Sequence, residues 1–147
     1  MSQARSEMQF REKAQKALEL LKDKGFTCVL ASERRVRYES SKVYIEMIHG
    51  LHDCEVYIDF GRLNTEERFY FPMFLRMVNP TLEKSLGDRM VDTPDTIAAT
   101  TNALAKALQS EGQGIIKGED EVFERMKDVH WWDFDPEALG KGNESPP

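Results

Sequence analysis

No stretch of this chain reaches the roughly 18 consecutive apolar residues that a membrane span needs, so no membrane partner is expected. Met1 to Phe10 holds no apolar signal-peptide core, which speaks against a secretory route. Cysteine is scarce. Cys28 and Cys54 are the only two, too few for a disulfide framework and in keeping with a reducing, cytoplasmic setting. Positive charge is short as well: 20 Lys and Arg stand against 26 Asp and Glu, a formal net charge of −6. A general nucleic-acid binder needs a basic excess to displace counterions from phosphates, so nucleic acid is disfavoured as a partner. Motifs for chemistry are missing too. No serine lies in a Gly-x-Ser-x-Gly turn. Gly112, Gly114 and Gly118 lack both the Gly-Lys-Ser/Thr ending of a phosphate loop and the spacing of a dinucleotide fingerprint. They read as a helix stop followed by a turn. No internal repeat is present.

What is present is an ordinary globular balance. Of 147 residues, 40% are hydrophobic and 31% charged, which fits one domain able to bury a core without a metal or disulfide staple. Residues 1–139 read as that single domain. Residues 140–147 are polar and rich in Gly and Pro, and read as a disordered tail. The charge is uneven. Residues 1–50 carry ten Lys or Arg against seven Asp or Glu, and the rest carries ten against nineteen.

Periodicity outlines the elements. Phe10, Ala14, Ala17, Leu18 and Leu21 share one face of a 3.6-residue period and predict an N-terminal helix. Ser6 and Gln9 have capping-box spacing, and Gly25 suits the left-handed turn after the helix. Phe26 to Ala31 predicts a strand with two apolar faces. Val43, Ile45 and Met47 alternate with Lys42, Tyr44 and Glu46; Cys54, Val56, Ile58 and Phe60 alternate with Glu55, Tyr57 and Asp59. That is period two, one face dry and one wet, and the Gly50 to Asp53 link predicts a hairpin. Phe69 and Phe71 predict a further short strand. Phe74, Met77 and Val78 have helical spacing until Pro80. Thr93 and Pro94 open a strong helix bearing Ile97, Thr101, Leu104, Ala105 and Leu108. Ile115 and Ile116 read as a brief extended segment, and Glu119 to Val129 as a short helix with Val122, Phe123 and Met126 inward. The order predicts an α+β fold: an N-terminal helix, an antiparallel meander of four to five strands, and C-terminal helices packed on one face.

The residues offer little for catalysis. His49, His52 and Cys54 cluster near the hairpin turn with Asp53, but a tetrahedral zinc site would lack a fourth ligand. They read as two exposed turn histidines and a buried cysteine, so no metal or cofactor is expected. Cys28 and Cys54 occupy inward strand positions, where thiols are inert. An enzyme is the less favoured reading, with no catalytic residues to name. Arg34, Arg35 and Arg37 form a small basic patch, with Tyr38 and Tyr44 interleaved as stacking residues for single-stranded nucleic acid would be. A solvated strand edge, its charges discouraging edge-to-edge pairing, is the preferred reading.

The most unusual stretch is Glu119 to Glu137. It holds eight acidic residues against Arg125 and Lys127, and encloses His130-Trp131-Trp132-Asp133-Phe134. Tryptophan is enriched at binding hot spots. Glu124, Asp128, Trp131, Trp132, Asp133 and Asp135 are therefore the candidate partner-binding residues, facing a basic protein. The competing reading folds both rings over the core.

The run Glu55-Val56-Tyr57-Ile58-Asp59-Phe60-Gly61-Arg62-Leu63, with Leu104 to Leu108 and Gly114-Ile115-Ile116-Lys117-Gly118-Glu119-Asp120, resembles a group of small uncharacterised bacterial α+β proteins. Some of these resemble immunity proteins that neutralise toxins of neighbouring cells. Here Glu119 stands between Gly118 and Asp120 of the shared turn. The resemblance implies a cytosolic bacterial protein that binds another protein by surface complementarity, without catalysis. The alternatives are an accessory or regulatory protein that self-associates as a homodimer, and a small-ligand binder or enzyme with a pocket between sheet and helices.

Overall fold

The computed structural model describes residues 9–50, 55–86 and 93–129. The N-terminal helix, α1, spans Phe10–Ala17 and tightens into a 3-10 helix over Leu18–Lys24. Its N-cap is Gln9, in the left-handed region and without a side-chain cap bond; Ser6 lies outside the described residues. Gly25, at φ 87°, closes the 3-10 turn, where a side chain would be strained. Phe10, Ala14, Ala17, Leu18 and Leu21 are all buried.

Five strands follow: β1 Thr27–Ala31, β2 Arg35–Glu39, β3 Val43–His49, β4 Val56–Arg62 and β5 Phe69–Tyr70. They form one antiparallel sheet in sequence order, β1-β2-β3-β4-β5. The helices after the sheet are α2 Phe71–Val78, α3 Pro80–Leu86, α4 Pro94–Glu111, α5 Gln113–Lys117 and α6 Asp120–Lys127. The fold is α+β, as the order of elements predicts. Thr93 caps α4 reciprocally with Thr96, each backbone N–H donating to the other's hydroxyl at 3.1 Å, with Pro94 in the first turn. α2 stops where Pro80 disfavours helical backbone at Asn79.

The core lies on one side of the sheet. Val36, Tyr38, Val43, Ile45, Met47, Val56, Ile58 and Phe60 join one cluster with Phe10, Leu18, Leu21, Leu75, Ile97, Leu104, Leu108, Ile115 and Phe123. Every sheet residue in that set has the same alternation phase, so the helices cover one face only. α1 and α4 pack against each other over it.

Several expectations are corrected. β1 is an outer strand with a bulge between Cys28 and Leu30, and it exposes Val29 and Leu30 rather than burying two apolar faces. Cys28 is half-buried. β2 lies between β1 and β3, so Arg35 and Arg37 are not at a strand edge. Phe71 opens α2 instead of extending β5. Ile115 and Ile116 are buried in helical turns, with Gly114 inside α5. His49 is not an exposed turn residue: it is buried on the helix side, its ring 5.5 Å from that of Phe10. His52, Cys54 and residues 140–147 lie outside the described residues.

Candidate functional site

The face of the sheet away from the helices is not the simple wet surface that alternation implies. Strand register sets its residues in rows. Arg37 lies opposite Glu46, Glu46 opposite Asp59, and Asp59 opposite Tyr70. Flanking that row, Glu39 pairs with Tyr44 and Tyr44 with Gly61; on the other side, Arg35 pairs with Ile48 and Ile48 with Tyr57. Tyr44, Glu46, Ile48 and Asp59 are all buried, although none of the described helices covers them.

The loop between β4 and β5 explains much of that burial. The Tyr44 hydroxyl donates to the Glu67 carbonyl at 2.7 Å, and the chain crosses directly above Gly61. A Cβ at Gly61 would sit 2.9 Å from the Tyr44 ring and collide with the Glu67 carbonyl. Glycine is required there for close approach, and the tyrosine on the neighbouring strand covers the gap.

Beneath lies a charged network. Two carboxylates directly opposite on adjacent strands repel. Glu46 and Asp59 are such a pair, and Arg68 bridges them, donating to Asp59 at 2.7 Å and to Glu46 at 3.3 Å. Arg35 donates its Nε–H to Glu46, and Arg37 adds a bond of 3.3 Å. Arg37 also donates to Glu39 at 2.8 Å, and its guanidinium lies 4.0 Å above the Tyr44 ring, a cation–π distance. Arg68 approaches the same ring at 5.5 Å. Burial opposes ionisation of Glu46, but the hydrogen bonds and charge of Arg35 and Arg68 outweigh it and hold its carboxyl below the usual range. For Asp59 burial wins, only partly offset by Arg68, and its carboxyl is pushed up. Burial also raises the Tyr44 hydroxyl. Tyr57 and Tyr70 continue the face, their rings edge-to-face at 5.4 Å, with the Tyr70 hydroxyl on Glu55. Arg34 stands in the turn before β2, where its carbonyl accepts from the His49 N–H.

Glu46 spends both oxygens on guanidiniums, and Asp59 accepts from Arg68. What the face presents is guanidinium donors and tyrosine rings on a fixed frame.

Of the expected partner-binding residues, the two that are described fall elsewhere. Glu124, on α6, accepts from Arg62 at 2.7 Å and pairs with Lys127 at 3.2 Å. Asp128 is the exposed C-cap residue of α6. Trp131, Trp132, Asp133 and Asp135 lie outside the described residues. Arg62 also holds Glu67 and Asp120. These pairs border a cleft of about 390 Å³ lined by Lys42, Arg62, Leu63, Thr65, Gly118 and Asp120. Among the described residues, no group of three His, Cys, Asp or Glu is arranged to hold a metal ion, and no helix is long and apolar enough to cross a membrane.

Sequence reasoning missed the outer-face network because it read Glu46 and Asp59 as solvated. A signal was there: acids at matching places in two strands of a hairpin, with a lone arginine just ahead of the next strand. No protein family, curated protein or solved structure was found to match the chain.

Proposed function

We propose that this chain is a protein-binding module that works by surface complementarity, without catalysis, and that its contact surface is the helix-free face of the sheet. The observation that carries the reading is three arginines held in place by buried carboxylates on a face that none of the described helices covers. Burying ions is costly, so a solvated face would keep its carboxylates wet unless the arginines above them had to be fixed. Arginine and tyrosine are the residues most often found at binding hot spots, and a fixed side chain loses less freedom on binding.

The test is cross-linked capture from the native host. Wild type and Lys106→Glu, an exposed change on α4, are expected to retain the same protein partner. Arg35→Glu is expected to lose it while remaining folded. A partner retained by Arg35→Glu and lost by Lys106→Glu removes this face from the account.

A second reading follows from α6, whose Asp120, Glu121, Glu124 and Asp128 are exposed. With the family resemblance it supports a bacterial, cytosolic, immunity-like protein whose acidic C-terminal segment, including Trp131, Trp132, Asp133 and Asp135, meets a basic toxin. The pairing of Glu124 with Arg62 and Lys127 reduces the charge that segment projects. Salt-sensitive association slowed by Asp128→Lys, and by Asp133→Asn with Asp135→Asn, would favour this surface.

A further inference from the structure

The outer-face charges are layered by depth. Glu46 has no exposed side-chain surface and Asp59 has 10%, whereas Arg35 and Arg68 keep 44% and 42%. Glu46 and Asp59 form the floor and Arg35 and Arg68 the top, while at the margin Arg37 and Glu39 keep similar exposure, 24% and 30%. A guanidinium carries five N–H donors in a planar fork. Arg35 spends its Nε–H on Glu46, and Arg68 spends bonds from both terminal nitrogens on the floor. The other N–H groups of each belong to side chains that stay partly exposed. A partner meeting this face therefore meets guanidinium hydrogen-bond donors first, their charge balanced by the carboxylates of Glu39, Glu46 and Asp59. Two carboxylates flank the array: Glu39 beside Arg37, and Glu55 beneath the Tyr70 hydroxyl.

We infer that this face binds an extended acidic segment of a partner protein, its carboxylates seated on Arg35, Arg37 and Arg68; this rests on the protein-binding reading above. Arg35 and Arg37 lie on one strand two residues apart, roughly 6.6 Å along it. An extended peptide repeats its side chains on one face at the same interval, so acids at alternate positions match the arginines in register. Arginine suits carboxylate because the planar fork can donate two parallel bonds. Nucleic acid fits less well. Base stacking needs an open aromatic face, yet Tyr44 is buried beneath Arg37 and Arg68. Tyr57 and Tyr70 are packed edge-to-face on each other.

The experiment is a titration of the isotope-labelled full chain, following arginine Nε–H resonances. The probes are a short peptide alternating Asp and Ser, its Asn counterpart, and a single-stranded oligothymidine. The Asp peptide is expected to shift Arg35 and Arg68 saturably, the Asn peptide to leave them unmoved, and oligothymidine to bind more weakly. Arg35→Gln, checked for an unchanged fold, is expected to weaken the Asp peptide about tenfold, the loss of one charge-assisted bond. Oligothymidine shifting these resonances more tightly than the Asp peptide overturns the inference in favour of nucleic acid. No shift with either probe also overturns it. If the Asp peptide fails while host-protein capture still depends on Arg35, only the acidic chemistry falls. If capture fails too, the protein-binding reading falls with it.

Discussion

Glu46 decides the character of the outer face, because three arginines converge on it. Glu46→Gln keeps the shape and removes the charge. It is expected to destabilise the fold by about 1–3 kcal/mol, measured by urea unfolding, since hydrogen bonds to charged partners in that range are weakened. The pH response follows from the same groups. The Glu46 and Glu67 carboxyls lie below the ordinary glutamate value of 4.5; burial is outweighed by arginine at Glu46, and the Arg62 hydrogen bond dominates at Glu67. A depressed folded-state value contributes stability above the unfolded value and loses it as pH falls through the folded one. Asp59, raised by burial above its ordinary 3.8, acts oppositely and favours the fold as it takes up a proton. Unfolding free energy is therefore expected to drop as the solution is acidified below 4.5, less steeply in Glu67→Gln and more steeply in Asp59→Asn. Equal slopes in all three proteins would contradict the network. Gly61→Ala should destabilise strongly, by about 2 kcal/mol or more, because the Glu67 backbone and the Tyr44 ring leave no room for a Cβ. The dry face of the hairpin was legible at Val43, Ile45, Met47, Val56, Ile58 and Phe60, and missed at His49. The other face was not, because alternation tells which residues share a side but not which loop will lie over them.

At the scale of elements, helices of two turns or more were legible, the eight-residue α6 among them, and the five-residue α5 was not. The apolar stripe of α4 from Ile97 to Leu108 is fully buried as its spacing predicts. Ile115 and Ile116 sit in a five-residue helix, too short to display a period. Strand order was also hidden: Arg35 and Arg37 look like edge charges until β2 is found between β1 and β3. Thr93→Ala removes the hydroxyl that accepts the Thr96 N–H, one half of the α4 capping box, and is expected to cost about 1 kcal/mol in thermal or urea unfolding. Val56→Asp places a carboxylate among core residues, where Val56 has no exposed surface. It should cost about 3 kcal/mol or more, and a variant that melts like wild type would mean that β4 does not turn this residue toward the helices.

The whole molecule is two-sided. Among the described residues, helices supply one layer and the sheet the other, and the far side of the sheet carries arginine, tyrosine and buried acid. Composition pointed away from catalysis and toward recognition, but its acidic excess drew attention to α6 and the residues after it. A hydrogen-bonded array of charge lies on the sheet, built from residues more than thirty positions apart in the chain, from Arg35 to Arg68. Side-chain footprinting of the captured complex by hydroxyl radicals tests this account most directly. Tyr57 and Tyr70, on the outer face, are expected to be protected when the partner binds, while Met73 and Met77 on α2 keep their free reactivity. Protection confined to α2 or α6, with Tyr57 and Tyr70 as reactive as in the free protein, would contradict it.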